Sequence, residues 1–591
     1  MRRHPFGTAL LVAGVLGSLV GTQGAAAQQL VKQPTAEGSG GAAATVDVLG
    51  TQAAIDTLRA GGNAVDAAVA AAGVLGVTEP FSSGIGGGGF MVIRTAKGKV
   101  TTIDGREKAP RSMKPDSFWE NGNALVFNDA RFSGISAGVP GTVDTWDEAL
   151  RKYGTYSLSR ALQPGIRVAT NGFEVDQTFF DQTQQNLDYF NDVPSTAAIY
   201  LDPDGTPRNV GSTLRNPDMA RAYERIAKLG PKGFYSGAIA DAMVEAAQNP
   251  PIAGNANHKW RPGLMTMRDL NGYAAPEREP TRISYRGYDV FGMGPPSSGG
   301  STVGEALNIL EGYTLSKADR ADALHRFIEA SRFSFADRNA YLADPAYFDV
   351  PLCGLLSDSF AAERRALITD TAANLAVAPG NPRDNCGGSG AAAQRTSEGR
   401  EGLSTTHLTV ADADGMVVSY TFTIESTGGN GIVVPGWGFL LNNELTDFNF
   451  DSLTHPNRAE GGKRPRSSMS PTIVERNGKP FLAAGSPGGS TIITTVLQVL
   501  LERLDLGKTL PEAIASPRAT QRNGAFTIAE QAFLDSADAQ QLRTRFGHDL
   551  RFSPEIGAAT GIEFLPGNRF LSAAEPVRRG GGSAGVVTPG P

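Results

Sequence analysis

Residues 404–425 read STTHLTVADADGMVVSYTFTIE, the part of the sequence with the clearest strand pattern. Apolar and polar residues alternate on both sides of Asp414-Gly415, a pair that strongly favours a hairpin turn. The pattern predicts two antiparallel strands joined by a short loop. If the loop is residues 413–415, Thr423 lies opposite Thr405, whereas a two-residue loop shifts the pairing by one residue.

Thr405 is the candidate nucleophile in this hairpin. A threonine hydroxyl is a weak nucleophile alone, but an N-terminal threonine carries its own base, because an α-amino group titrates near ~7.7–8. Freeing that amine requires cleavage of the Ser404–Thr405 bond. Residues 379–402 are rich in Gly, Pro, Ser and charged residues, which predicts an exposed, mobile tether before the cut. The alternative is that Thr405 is an ordinary β-favouring residue at a strand start.

Composition excludes several classes of protein. The chain has 591 residues, with 60 acidic against 54 basic ones and no dense Lys/Arg block, which argues against a nucleic-acid partner. It has no obvious internal repeat or long linker, so one large domain fits. Cys353 and Cys386 are the two cysteines, which either form a disulfide or stay free, and they give no zinc-ligand pattern. Small-molecule chemistry is therefore expected.

The N-terminus has the order of a secretory signal. Arg2 and Arg3 precede an apolar run over residues 6–20 and the small residues 25–27, which predicts a signal peptide over residues 1–27. The alternative, a membrane anchor, is disfavoured because the run falls short of the ~20 residues that span a bilayer. We expect a secreted, periplasmic protein without a membrane span in its mature form.

The rest of the chain predicts helices around strands. Residues 47–77 favour two helices broken at Gly61-Gly62-Asn63, and residues 90–93 and 100–103 form a hairpin. Residues 140–380 alternate amphipathic helical stretches, such as 216–229 and 321–340, with loops. These helices are expected to cover the strands.

Short motifs along the whole chain resemble the gamma-glutamyltranspeptidase family. The run Ser404-Thr405-Thr406-His407 is similar to the start of that family's small subunit. Further matching segments occur in the family's order at Glu79-Pro80 with 84–91, and at 104–110, 138–143, 295–300, 441–448, 463–472 and 485–490. Each alone would be an ordinary turn. The run Thr423-Ile424-Glu425 and the short segment 448–462 are similar to the bacterial subgroup that lacks a lid loop, so we expect an open site.

The resemblance implies an α+β fold of the N-terminal-nucleophile hydrolase type, a four-layer αββα sandwich. It implies a precursor that cuts itself into a large subunit, 28–404, and a small subunit, 405–591. The two subunits stay associated and form one catalytic domain.

The resemblance also assigns roles to individual residues. Thr405 matches the nucleophile, and Thr423 its supporting hydroxyl. Gly488 and Gly489 match the oxyanion-hole amides, for which glycine suits because both amides must point at one oxygen. The predicted substrate-binding residues are Arg106 with Ser467 and Ser468 for the glutamyl carboxylate, and Glu425, Glu444 and Asp447 for its ammonium.

The implied reaction is two-step acyl transfer from glutathione or a related gamma-glutamyl compound through a gamma-glutamyl ester on Thr405. Water gives hydrolysis, and an amino acid or peptide amine gives transpeptidation. No metal or organic cofactor is expected. The alternatives are a cephalosporin or glutaryl acylase on the same scaffold, which would relax the ammonium pocket, and an inactive secreted binding protein.

Overall fold

Residues 31–387, 402 and 404–590 are described by a computed structural model. Its strands are β1 (Thr35–Thr45), β2 (Gly88–Arg94), β3 (Val100–Gly105), β4 (Trp119–Glu120), β5 (Asn123–Ala124), β6 (Phe173–Glu174), β7 (Thr213–Leu214), β8 (Glu277–Arg278), β9 (Thr281–Tyr285), β10 (Tyr288–Gly292), β11 (Thr406–Asp412), β12 (Val417–Thr423), β13 (Thr472–Arg476), β14 (Lys479–Gly485), β15 (Ala519–Thr520), β16 (Thr527–Glu530), β17 (Leu550–Ser553), β18 (Thr560–Leu565), β19 (Arg569–Ala574) and β20 (Ser583–Pro589).

The α-helices are α1 (Val48–Arg59), α2 (Ala64–Thr78), α3 (Phe127–Arg131), α4 (Thr142–Tyr153), α5 (Leu158–Ala161), α6 (Gln163–Asn171), α7 (Gln177–Gln185), α8 (Leu187–Asp192), α9 (Pro194–Tyr200), α10 (Pro217–Leu229), α11 (Lys232–Tyr235), α12 (Ala238–Gln248), α13 (Met267–Asn271), α14 (Gly299–Glu311), α15 (Arg320–Tyr341), α16 (Leu352–Leu355), α17 (Asp358–Arg365), α18 (Thr491–Leu504), α19 (Leu510–Ala515), α20 (Gln531–Leu534) and α21 (Ala537–Thr544). Short 3-10 helices lie at Gly134–Ser136, Lys317–Asp319, Pro382–Cys386, Glu444–Asp447 and Arg578–Gly580.

The main strands pair in the order β8-β3-β2-β12-β11-β1-β19-β18-β14-β13-β10-β9, and β20 also pairs with β1. The first residues of β1, 35–39, pair with β19, and its later residues, 41–44, pair with β11. Between them, Gly40 and Gly41 have φ of 82° and 127°, which suits glycine and interrupts the regular strand. Strand β1 therefore joins two halves of the sheet.

The two halves stack face to face. Ser419 on β12 donates from its Oγ to the carbonyl oxygen of Ala484 on β14 at 3.3 Å, and accepts the N–H of Thr472 on β13 at 3.1 Å. A Cβ placed on Gly485 would lie 2.3 Å from the His407 ring of β11. The side chains of strands β11 and β12 therefore pack directly against the second half.

Helices cover both outer faces of this pair of sheets. On β2, Met91 and Ile93 belong to the apolar core built with α1 and α2, whereas Phe90 and Val92 belong to the core that includes the second half of the sheet, β13 and β14, and the helices α14, α15 and α18 beyond it. This alternation is the period of two expected for a strand buried on both faces. The predicted αββα sandwich is confirmed.

The predicted elements agree closely with the structure. Helices α1 and α2 fill the predicted region, and Asn63 caps α2 with a capping box. Strands β2 and β3 form the predicted hairpin. Helices α10 and α15 lie at the predicted stretches, and α18 covers the Thr- and Leu-rich run after the two candidate oxyanion glycines.

The prediction of an exposed tether over 379–402 is wrong for its first residues. A 3-10 helix at Pro382–Cys386 is joined to α16 by a disulfide between Cys353 and Cys386, with a Cα–Cα distance of 6.0 Å. Pro382 is buried, so this end packs against the protein. Residues 388–401 and the predicted signal peptide, 1–27, lie outside the described residues. Within the described part of the chain, no helix has the length and apolar character needed to cross a membrane.

Candidate active site

The hairpin β11–β12 places Thr405 opposite Thr423. Thr406 pairs with Phe422, so the register is that of the three-residue loop, and the predicted pairing is confirmed. The Thr405 Oγ donates to the Thr423 Oγ at 3.1 Å. The N–H of Glu425 donates to the same Thr423 oxygen at 2.8 Å. Thr423 thus holds the Thr405 hydroxyl at the end of two paired strands.

The backbone at the predicted cut is strained. Thr405 has a φ of 122°, which is unfavourable for a β-branched residue and typically costs about 1–3 kcal/mol. On the other side of the bond, the Ser404 Oγ donates to the Phe81 carbonyl oxygen and to the Ser82 Oγ, both at 3.1 Å. The surrounding structure therefore holds both residues of the bond in place.

Arg579 contacts the candidate nucleophile and was missed by the sequence analysis. Its guanidinium donates to the Thr405 carbonyl oxygen and to the Ser82 Oγ, both at 2.6 Å. The Glu79 Oε2 lies 4.0 Å from the Arg579 Nη2. Burial raises the pKa of the Glu79 carboxyl to about 7, and the positive charge of Arg579 opposes that rise. In the sequence, Arg579 is one of two adjacent arginines before a run of glycines, a pattern that does not indicate a functional residue.

Arg106 is fully buried among acceptors. Its Nε donates to the Pro465 carbonyl oxygen at 3.0 Å, and its Nη2 donates to Asp447 Oδ2 at 2.5 Å. Its Nη1 donates to Glu444. The 3-10 helix Glu444–Asp447 presents both carboxylates on one face, because side chains three residues apart eclipse in such a helix. Burial disfavours the charged guanidinium, but these two carboxylates outweigh it and raise the pKa of Arg106.

Glu107 adds a third carboxyl to this group. It is fully buried, with its Oε2 3.9 Å from Arg106 Nη1. Burial raises the pKa of Glu107 to about 8, although Arg106 opposes the rise. Burial likewise raises the pKa of Glu444, against Arg106. Burial thus favours the neutral form of Glu107, and the motif at 104–110 gives no sign of this role.

Glu425 lies on the other side of the same pocket. It has a φ of 80°, accepts the Ser426 hydroxyl at 2.5 Å, and accepts an N–H of Asn443. The backbone N–H of Gly402, two residues before Ser404, also donates to Glu425. The segment before the predicted cut therefore occupies the position that the sequence analysis assigned to the substrate ammonium.

The structure brings most predicted residues to one small pocket. Ser467 Oγ accepts the Met469 N–H at 3.2 Å, and Ser468 Oγ accepts a proton of Arg338 at 2.6 Å. The cavity is about 20 Å³, roughly the space of one water molecule. The predicted residues that line it are Arg106, Thr405, Thr423, Glu425, Glu444, Asp447, Ser467, Ser468 and Gly489.

Gly488 lines a neighbouring cavity instead of this pocket. Gly488 and Gly489 have φ of 131° and 57° and precede Ser490, the N-cap of α18. A Cβ on Gly488 would lie 2.6 Å from Thr491 Oγ1. Both conformational and steric grounds therefore favour glycine at position 488, and the positive φ favours it at 489. The backbone N–H groups of Thr491 and Ile492 donate to the carbonyl oxygens of Gly488 and Gly489 at 3.2 and 3.0 Å, so the glycine pair leads directly into the first turn of α18.

Comparison with known proteins identifies the family. Residues 50–586 match the family described as Gamma-glutamyltranspeptidase. The chain belongs to this family. It is similar to the glutathione hydrolase proenzyme of Bacillus subtilis (strain 168), with 38% identity over 561 residues, 93% of this chain and 92% of that protein. It is also similar to the acylase ACY 1 proenzyme of Pseudomonas sp. (strain V22), with 36% identity over 555 residues, 92% of this chain and 93% of that one.

A solved structure supports the same fold. The crystal structure of cephalosporin acylase from Bacillus halodurans matches this gamma-glutamyltranspeptidase-family chain with a TM-score of 0.81 and 29% identity. The match covers 94% of this chain and 97% of that one.

The segment 448–462 does not cover the pocket of this family member. Phe448, Phe450 and Ala459 are buried in an apolar cluster with Met113 and Phe118. The whole segment is described, and none of its residues lines the pocket. This arrangement agrees with the expected absence of a lid from this segment. No cluster of three or more His, Cys, Asp or Glu suited to a metal ion occurs among the described residues.

Proposed function

We propose that this protein is an exported precursor that cuts itself between Ser404 and Thr405 and then transfers or hydrolyses gamma-glutamyl groups. The expected donors are glutathione and related gamma-glutamyl compounds, and the expected compartment is the periplasm. The observation that carries the proposal is the placement of the Thr405 hydroxyl against Thr423 at the edge of the Arg106 pocket. The name of the Bacillus subtilis relative supports the same activity.

Self-cleavage begins with Thr405 attacking its own preceding carbonyl. The Thr405 Oγ forms a bond to the Ser404 carbonyl carbon, and the peptide C–N bond breaks as the nitrogen takes up the hydroxyl proton. Water then hydrolyses the resulting ester, which leaves a carboxylate on Ser404 and a free amine and hydroxyl on Thr405. The strained φ of 122° at Thr405 favours the first step, because rupture of the bond relieves the strain.

The same hydroxyl then acts on the substrate. The Thr405 Oγ attacks the gamma-glutamyl carbonyl, its proton passes to the Thr405 amine, and that proton leaves with the amine of the departing group. The backbone amides of Gly488 and Gly489 stabilise the tetrahedral oxyanion. Thr423 keeps the hydroxyl aligned. Water or an acceptor amine releases the glutamyl group from Thr405.

The pocket distinguishes a zwitterionic glutamyl group from a simple acyl chain. Arg106, with Ser467 and Ser468, binds the substrate carboxylate, and Glu425, Glu444 and Asp447 bind the ammonium. Glu444 and Asp447 already hold Arg106 in place, which fixes the guanidinium before substrate arrives. Cleavage would free Gly402 from Glu425 and open the ammonium position.

An acylase is the second candidate, favoured by the similarity to acylase ACY 1 and to the cephalosporin acylase structure. A glutaryl group lacks the ammonium, so the ammonium position beside Glu425, Glu444 and Asp447 would stay unfilled when it binds.

The test compares gamma-glutamyl-p-nitroanilide with glutaryl-p-nitroanilide, which differ only in the α-amino group. We expect kcat/KM at least about 100-fold higher for the gamma-glutamyl compound, since charged hydrogen bonds contribute about 1.5–3 kcal/mol each. Equal turnover would favour the acylase, and no turnover of either would favour a binding protein. Cleavage of the predicted leader is checked separately, by a mature N-terminus at Gln28.

A further inference from the structure

Glu425 lies in the loop that follows strand β12, residues 425–431. It has a φ of 80°, which glutamate disfavours, so contacts from the rest of the protein must hold it there. Three glycines of the loop also have positive φ, between 56° and 85°: Gly428, Gly429 and Gly431. The direction of the Glu425 carboxylate therefore depends on what holds this loop.

Arg131, on helix α3, binds two carbonyl oxygens of the loop. Its Nε donates to the Gly429 oxygen at 3.0 Å, and its Nη2 donates to the Thr427 oxygen. The same Nη2 donates to Asn186 Oδ1, between α7 and α8, at 2.8 Å. The centre of the Phe132 ring lies 4.1 Å from Arg131 Cζ, on the face of the guanidinium. Arg131 thus ties the loop to the helical layer.

The contacts of Arg131 with the loop are charge-assisted. Burial lowers the pKa of Arg131 to about 10, and the negative charge of Glu425 opposes that fall. Arg131 therefore stays protonated near neutral pH. Hydrogen bonds from a charged guanidinium are stronger than those between neutral groups, and its planar fork fixes the positions of two acceptors at once.

A chain of hydrogen bonds leads from Arg131 to the Glu425 carboxylate. Gly429, whose carbonyl oxygen Arg131 binds, donates from its N–H to the Ser426 carbonyl oxygen at 2.7 Å. The Ser426 hydroxyl donates to Glu425 Oε2 at 2.5 Å, and the Ser426 N–H donates to Asn443 Oδ1 at 3.0 Å. A displacement of the Gly429 peptide group would therefore move Ser426 and, with it, the carboxylate.

We propose that Arg131 is a positioning residue that sets the preference of the Arg106 pocket for substrates with an α-ammonium group. This inference rests on the proposed function, in which Glu425 binds that ammonium. Arg131 is not among the residues that line the pocket, so it acts through the loop. Its loss should weaken the interaction with the ammonium and leave the binding of the carboxylate at Arg106 intact.

The test measures kcat/KM of the processed enzyme for gamma-glutamyl-p-nitroanilide and for glutaryl-p-nitroanilide. Arg131→Met removes both loop contacts and keeps an unbranched side chain beside Phe132. We expect the ratio of the two kcat/KM values to fall about 10-fold, as for the loss of one charged hydrogen bond. The fall should come from a higher KM for the gamma-glutamyl compound, with kcat/KM for the glutaryl compound unchanged.

Arg131→Lys separates the charge from the geometry. Lysine keeps the positive charge but offers a single ammonium in place of the fork, so it can hold only one of the two carbonyl oxygens in the native geometry. We expect the ratio to fall about 3-fold, between wild type and Arg131→Met. If Arg131→Met does not fold or mature, the same fall in Arg131→Lys tests the inference.

Arg286→Met is the matched control. Arg286 also binds two carbonyl oxygens at the end of a helix, those of Leu310 at 3.2 Å and Tyr313 at 2.7 Å, and lies over the Tyr285 ring at 5.1 Å. It also pairs with Asp505 at 3.0 Å, and it does not line the Arg106 pocket. Its replacement should lower Tm without changing the ratio.

The outcomes separate the inference from the proposed function. Loss of a positive charge near the ammonium would by itself strengthen binding, so a folded Arg131→Met enzyme whose ratio equals or exceeds that of wild type would overturn the inference. An equal loss with both substrates would also overturn it, because a purely structural role affects both alike. A wild-type enzyme that turns over both compounds equally would instead overturn the proposed function.

Discussion

The two cavities beside Thr405 differ in size and in construction. The Arg106 pocket holds about 20 Å³ among buried charges that already hydrogen bond to one another. The second cavity, lined by helix α7, Gly488 and Arg579, holds about 460 Å³, and Asp181 and Glu555 are exposed at its wall. Buried charges that are already paired suit one fixed zwitterion, whereas a large cavity with exposed carboxylates imposes no such fixed arrangement. The following predictions test this division.

The glycines between the cavities should give the largest effect. Gly488→Ala adds a Cβ at a φ of 131°, 2.6 Å from Thr491 Oγ1, so the amides shift away from the oxyanion. We expect kcat to fall about 10²- to 10³-fold with little change in KM. Steady-state kinetics with gamma-glutamyl-p-nitroanilide measures this. Gly507→Ala is the control, since Gly507 has a φ of 72° and an added Cβ would have nothing within 4 Å. An unchanged kcat in Gly488→Ala would contradict the oxyanion role.

The Arg106 pocket should respond next. Arg106→Lys keeps the charge but loses the two-pronged geometry, so KM should rise about 100-fold, as expected for about 3 kcal/mol of lost charged hydrogen bonds. Arg94→Lys is the control: Arg94 forms a comparably buried ion pair with Glu475 at 2.5 Å, and neither residue lines the pocket. A thermal unfolding curve of each variant shows whether it is folded. A wild-type KM in folded Arg106→Lys would remove Arg106 from substrate binding.

Arg579 should affect cleavage more than substrate binding. Arg579→Met removes two hydrogen bonds that hold Thr405 and Ser82, so self-cleavage should slow about 10-fold. The time course of two-chain formation on a denaturing gel measures this. Arg569→Met, which removes an exposed ion pair with Glu37, serves as the control. If Arg579→Met matured at the wild-type rate, Arg579 would have no positioning role.

Glu107 should give a smaller, pH-dependent effect on stability. Burial raises its pKa to about 8, above the value of an unfolded glutamate, so the folded protein holds the proton more tightly. Its contribution to stability is present at acidic pH and is lost as pH rises toward about 8. Glu107→Gln mimics the neutral form, so its Tm should fall less than that of wild type between pH 6 and 9, by about 1–3 °C. Parallel Tm curves would show that Glu107 does not titrate in this range.

The sequence predicts the Arg106 side of the site better than the Arg579 side for a physical reason. Buried charges and constrained glycines tolerate few replacements, so Arg106 and the Gly488-Gly489 pair stand in recognisable motifs. The hairpin loop sets the Thr405–Thr423 pairing, because side-chain direction in a strand has a period of two. Arg579, by contrast, reaches Thr405 from 174 residues along the chain, a contact that no local pattern encodes.

The error at 379–387 has a similar origin. Its Gly, Pro and Asn content is typical of a loose segment, and the disulfide from Cys386 to Cys353 overrides that tendency. Composition describes local preference, whereas a covalent link between distant residues is a tertiary constraint.

The most direct test of the account is mass spectrometry and N-terminal sequencing of the purified protein and of its Thr405→Ala variant. We predict two chains for wild type, the smaller beginning Thr-Thr-His-Leu at Thr405, and one uncut chain without gamma-glutamyl transfer for the variant. A wild-type protein that stays in one chain and still releases p-nitroaniline would contradict the central claim that Thr405 acts as an N-terminal nucleophile.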